Sequence, residues 1–151
     1  MNNRYLYRAK RIDNGKWVEG YYAYSGIVDR NYIITVRGTC ALPPYNWVFD
    51  DIEIDKNTIC QYTGLSACWN DFGNEPQEQD VWEHDLLEVE YEGKRVISEV
   101  KYESGMYILS SNVFADSYIP ISDVTAIEDG CVYVNAEHKG NIFDNSELIN
   151  V

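Results

Sequence analysis

From residue 4 to residue 12 apolar and polar side chains alternate, and after Asp13-Asn14-Gly15-Lys16 the alternation resumes in "WVEGYYAY". A period of two places successive side chains on opposite faces of a strand. The pattern therefore predicts a hairpin, with Asn14-Gly15 at the centre of a type I′ turn. Ser25-Gly26 turns the chain again, and "NYIITVR" predicts a third strand that ends at Arg37-Gly38. Pro43-Pro44 interrupts the pattern, because neither residue can donate to a ladder. "WVFDDIEI" resumes it, "DKN" turns, and "TICQY" is a further strand.

The stretch from Ser66 to Gln79 is polar, acidic and irregular, with Gly73 and Pro76, and reads as a long surface loop between two subdomains. Beyond it "DLLEVEY", "VISEVKY" and "MYILSSNVF" form a meander joined by the turns "EGK" and "SG". Leu87, Val89 and Tyr91 share one face of the first of these strands, with Glu88 and Glu90 on the other. After Pro120 come "ISDVTAI", the turn Asp129-Gly130 and the strand "CVYV". In the tail, Asn145 is placed to cap one helical turn through Ser146, Glu147 and Leu148, with Glu147 near its positive end. The fold expected is mainly β. Short antiparallel strands and hairpins form small segregated subdomains, as a curled sheet or partly closed barrel, with one or two short helical turns. Within a single domain of residues 1–151, the subdomains span about 1–65 and 80–151, joined by the acidic loop 66–79.

Composition agrees. Thirteen tyrosines and four tryptophans against two methionines suit pleated surfaces, and 45% hydrophobic content is that of a globular chain. "MNNRYLYRAKR" has no apolar stretch behind its charges, and no run approaches the ~20 residues of a membrane helix. The expectation is a cytoplasmic protein without signal peptide or membrane contact. Cys40, Cys60, Cys68 and Cys131 are too sparse for a secreted disulfide scaffold. A net charge of −13 disfavours direct nucleic-acid binding. Arg4, Arg8, Lys10, Arg11 and Lys16 crowd the start of the chain. They read as solvated ends of an edge strand or partners for acidic loops.

The candidate chemistry is thin. "TICQYTGLSACWN" holds two cysteines eight residues apart, with no Cys-x-x-Cys pair, and His84 and His138 complete no recognisable ligand set. Buried thiols acting as small hydrophobes, and a tight corner at Thr63-Gly64, account for the stretch better. "DDIEID", "EQDVWEHD" and "EVEYE" lack the layout of a calcium loop and read as wet faces of strands. Neither a Gly-x-Ser-x-Gly elbow nor a glycine-rich phosphate loop occurs. Tyr22 and Tyr24 lie on one side of their strand and Tyr21 on the other, suited to core packing and subunit contact more than to sugars. No catalytic residue, cofactor or metal ligand is predicted.

Three segments, in this order, resemble the YopX-like family of phage and prophage proteins. "KNTICQYTGL" is similar to that family's strand and its Gln61-Tyr62-Thr63-Gly64-Leu65 corner. "DVWEHDLLEVEYEGK" looks like the segment in which an aromatic residue, Glu83, a glycine and Asp85 open a strand. "KGNIFDNSELI" is similar to the family's tail, here Gly140-Asn141-Ile142 followed by Asn145, Glu147 and Leu148. Trp17 and Gly20 in "GKWVEG" fit its N-terminal hairpin. His84 departs from the family's glycine before Asp85, and Ser146 from its proline. The loop from Ser66 to Gln79 is also longer and more acidic than usual. The resemblance implies a mainly-β, phage-derived homo-oligomer with no established activity, and it lends no catalytic residues.

The reading is therefore a non-enzymatic protein that works by self-assembly and by binding other proteins. The alternatives are an acidic decoy of a host nucleic-acid-binding protein, and an unrecognised hydrolase with a carboxylate cleft.

Overall fold

The computed structural model describes residues 5–39, 47–68, 78–128 and 130–149. Among them the fold is mainly β, in two open sheets, and helix is confined to isolated 3-10 turns. The chain gathers into two compact units, Met1–Tyr62 and Thr63–Val151.

In the first unit, β1 (Tyr7–Lys10), β2 (Trp17–Ser25), β3 (Arg30–Thr39) and β4 (Trp47–Glu53) follow one another antiparallel. The start of β5 (Cys60–Cys68) pairs with β1 on its other side. Ala9, Ile33 and Ile54 form the core of this unit, with Tyr7, Val18 and Ile59 packed against them. Gly20 is required here, since a Cβ would collide with the carbonyl oxygen of Ile34. The sheet curls: Arg11 is bridged to Ile54, and the Asp55 N–H donates to the Lys10 carbonyl at 2.9 Å. Asp55 also caps the 3-10 turn Lys56–Thr58 by accepting from the Asn57 N–H at 3.0 Å.

In the second unit the strands are β6 (Glu78–Trp82), β7 (Asp85–Tyr91), β8 (Lys94–Glu103), β9 (Met106–Ser110), β10 (Tyr118–Pro120), β11 (Thr125–Glu128), β12 (Cys131–Val134) and β13 (Glu137–Asn141). Five of them run in the order β10-β9-β8-β7-β13, while the β11–β12 hairpin and β6 add to β5. The turns at Glu92-Gly93 and Ser104-Gly105 have positive φ at both residues, the type I′ geometry that suits the right-handed strand twist. Leu87, Val89, Val96, Val100 and Leu109 supply the meander's core face, closed by Val81, Phe114, Ile121 and Val134. Tyr91 meets the Phe114 ring edge-on at 4.8 Å.

Several expectations need correction. At the first hairpin only Gly15 has positive φ, and its N–H reaches back to the Arg11 carbonyl at 2.9 Å. The loop is thus longer than a type I′ turn, and the Asn14 side chain accepts the Lys16 N–H instead of Asn14 adopting positive φ. β1 is no edge strand, since β2 and β5 flank it. Strand structure extends into both ends of the proposed loop 66–79, because β5 runs to Cys68 and β6 begins at Glu78. The strand read in "MYILSSNVF" ends at Ser110. Arg4, Cys40, Pro43-Pro44, Gly73, Pro76 and Asp129 lie outside the described residues.

Candidate functional site

The second and third family-like segments meet where β13 pairs with β7. Asp85 opens β7 and is fully buried, at 0% exposure. One carboxylate oxygen accepts the Trp82 N–H at 2.8 Å and faces His138 Nε2 of β13 at 2.9 Å. A carboxylate only accepts, which assigns the imidazole proton to Nε2. A buried carboxylate without such donors would cost several kcal/mol of desolvation. Reading the acidic run "EQDVWEHD" as a wet strand face therefore fails at Asp85, which ties the turn before β7 to the neighbouring strand.

The tail is tied to the same place. The Asn141 amide oxygen accepts the N–H groups of Phe143 and Asp144, each at 3.0 Å, and Asn141 is itself buried. The Asn145 oxygen accepts the Asn141 N–H at 3.2 Å. Asn145 stands at the N-cap position of the 3-10 turn Ser146–Leu148, but its side chain makes no cap hydrogen bond there. It turns back to Asn141 because Gly140, at φ +131°, leaves room that any Cβ would fill. The Ile142 N–H donates to the His84 carbonyl at 3.1 Å, which links the tail to the β6–β7 turn. Glu147 is exposed and Leu148 half-buried.

His84 has φ +68°, so the turn that glycine makes in the resembled family is made here in the left-handed region with a side chain present. Its Nδ1 lies 3.4 Å from Glu99 Oε1, and its ring meets Phe143 edge-on. The Glu99 hydrogen bond raises the His84 pKa above the ordinary imidazole range, against burial and aided by the charge of Glu83. Burial pushes Glu99 upward, but hydrogen bonds from His84 and Lys101 outweigh it and hold the carboxyl below its usual range. On the same sheet Glu88 faces Arg95 at 3.2 Å and Lys139 at 3.7 Å, and Glu137 faces Lys139 at 3.1 Å.

The remaining family-like residues do not join this cluster. The guanidinium of Arg8 stands 4.7 Å and the ammonium of Lys10 5.4 Å from the Trp17 ring centre, so two of the early cations lie over one indole ring. Arg11 pairs with Asp13 at 2.7 Å, as a partner for an acidic loop. Gln61 lies opposite Tyr7, and the Tyr62 N–H donates to the Leu6 carbonyl. Thr63 Oγ1 donates to the Val81 carbonyl at 2.7 Å and accepts the Leu65 N–H, while Leu65 packs on the second core. Gly64, at φ +80°, supplies the corner read there, inside a strand that continues past it. Cys60 is buried and Cys68 half-buried, but Cys131 is exposed, against the reading of buried thiols.

Sequence reasoning named Asp85 without its partner His138, because a contact 53 residues apart leaves no local signal. A His–carboxylate pair can orient an imidazole for proton transfer. Here the carboxylate also holds the Trp82 N–H, and its geometry is that of a seam lock. Two open grooves, of about 530 Å3 beside Lys10, Arg30 and Lys56 and about 580 Å3 beside Ile97 and Leu148, include neither Asp85 nor His138 in their linings. Among the described residues no group of three His, Cys, Asp or Glu is arranged to hold a metal ion, and no helix is long and apolar enough to cross a membrane. Comparison with models of protein families, with curated proteins and with solved structures gives no match to the chain.

Proposed function

We propose that this chain is a phage- or prophage-derived, cytoplasmic β-protein without catalytic activity, which works by self-assembly and by binding other proteins. The observation that carries the reading is the display of large apolar side chains on the first unit. Tyr21 is 57% exposed and Phe49 56% exposed, with Val36 beside Phe49 in the β3–β4 register, and Ile27 stands 97% exposed between β2 and β3. Tyr21, Ile34 and Val36 fall on the face of their strands opposite Ile33, away from the unit's core. Scattered exposed apolar residues are ordinary, whereas several gathered on one face favour association.

Association through side chains is favoured over pairing of strand edges. The outer strand β4 carries Asp50, Asp51 and Glu53, β10 ends in Pro120, and β13 is bulged between His138 and Gly140. Acidic residues, proline and bulges all discourage ladder extension. Light scattering across a concentration series tests the reading. Mass rising with concentration is expected, and a strict monomer throughout overturns it.

A second reading, the acidic decoy, draws on the charge distribution. Met1–Tyr62 hold eight Lys and Arg against seven Asp and Glu, whereas Thr63–Val151 hold four against eighteen. Such a surface attracts basic partners. Retention of a basic host protein at low salt, released at high salt, supports this reading; no such protein in the low-salt fraction removes it.

A further inference from the structure

The β2–β3 hairpin presents an apolar tip, Ile27-Val28, at 97% and 53% exposure. Its base is held by side chains: the Tyr24 hydroxyl donates to Asp29 at 2.8 Å, and the Tyr22 hydroxyl to Asn31 at 2.5 Å. Asp29 takes positive φ at 51°, so the turn has a defined shape. A fully solvated isoleucine on a braced hairpin is poorly explained by the fold of its own unit, because truncating it would leave every core contact in place.

The second unit holds a complementary feature. A groove of about 580 Å3 lies across β8, the residues after β9, and the tail, with Ile97, Val113, Leu148 and Ile149 among its lining. Val113 and Ile149 are 54% and 44% exposed. The volume is in the range of sites that take up a few apolar side chains. Lys94, Arg95 and Glu99 also line it, while Asp29 and Arg30 directly follow the tip, so each side offers both signs of charge to the other.

We propose that the occupant of this groove is the Ile27-Val28 tip of a second copy of the chain, giving a head-to-tail contact. The inference rests on the self-assembly reading above and names its surfaces. Charge favours this pairing over a contact of two grooves, and the seating of an apolar tip in an apolar-lined groove favours it over a contact of two flat first-unit faces. Two acidic units, each with four bases against eighteen acids, repel when brought together, whereas the nearly balanced first unit approaches an acidic one without that opposition. Tip and groove are different surfaces, so the contact is heterologous. It propagates into open chains or closes into a ring.

The test uses two variants of the full chain, Ile27→Asp and Val113→Asp, with Ile149→Asp as a second groove variant should Val113→Asp lose its native circular dichroism. All three positions are substantially exposed. Each variant alone is expected to weaken association tenfold or more, on the order of the burial energy of one aliphatic side chain. Mixed together, a tip variant and a groove variant retain one intact tip and one intact groove, so they are expected to form a dimer and stop there. Wild-type protein that associates while the variants associate equally well, or while the mixture stays monomeric, overturns the tip-in-groove contact and leaves self-assembly standing. Wild-type protein that never associates overturns both.

Discussion

At the scale of single residues, the backbone conformation of two positions decides what side chain they accept. Gly140 combines φ +131° with a Cβ position already occupied by the Asn145 amide. Gly140→Ala is expected to cost about 2–4 kcal/mol, from backbone strain and the displaced Asn145 hydrogen bond, read as a lower urea midpoint at unchanged slope. His84 presents the opposite case, a side chain where glycine would be easier. Its raised pKa means that its ion pair with Glu99 stabilises the fold fully below the unfolded histidine value of about 6.5, and that this is lost as pH rises through the raised value. Glu99, held low, contributes above its unfolded value of about 4.5 and loses that contribution as pH falls through the lowered one. Left-handed backbone costs a residue with a Cβ about 1–2 kcal/mol. His84→Gly relieves that strain but also removes the ring packed on Phe143, so it is expected to be less destabilising at alkaline pH, where the ion pair no longer contributes, than near pH 6. A difference between variant and wild type that does not change with pH would contradict the ion pair.

At the scale of elements, what could be read from sequence was whatever is encoded locally. Glu92-Gly93 and Ser104-Gly105 announce the turns of the meander, and Leu87, Val89, Val96 and Val100 mark its inner face by alternation. β6, β10 and β13 escaped because their sequences, "EQDVW", "YIP" and "EHKGN", carry little apolar alternation; β6 and β10 are strands through the neighbouring β5 and β9, and β13 through β7, far back in the chain. The Asp85–His138 lock escaped for the same reason: burial of a carboxylate depends on donors that local pattern does not show. Gly20 was legible as a hairpin residue, but its reason, the Ile34 carbonyl beneath it, was not. Removing the lock should loosen the β7–β13 pairing. Asp85→Ala leaves the Trp82 N–H and the imidazole without a shared acceptor and is expected to cost about 3 kcal/mol, with amide exchange accelerated first along β13. Asp85→Asn retains an accepting oxygen and should cost less.

At the scale of the whole molecule, charge is distributed unevenly. The Thr63–Val151 unit, whose four bases are outnumbered by eighteen acids, carries −14 against the first unit's +1, and Arg95, Lys101 and Lys139 are already engaged with glutamates on its five-stranded sheet. Self-repulsion of the remaining acids opposes compaction, and salt screens it over about 8 Å at physiological strength. The midpoint of thermal unfolding is therefore expected to rise by a few degrees between about 0.01 M and 0.15 M sodium chloride. No rise, or a fall, would mean that attractive pairs dominate the acidic unit's electrostatics.

The exposed sulfur of Cys131 has a practical corollary. A solvent-facing thiol on the short β11–β12 hairpin is open to air oxidation, so protein stored without reductant is expected to accumulate sulfur-linked pairs, visible as a doubled band on a non-reducing gel and removed by Cys131→Ser. Such covalent pairs would mimic assembly while bypassing the apolar surfaces that reversible association uses.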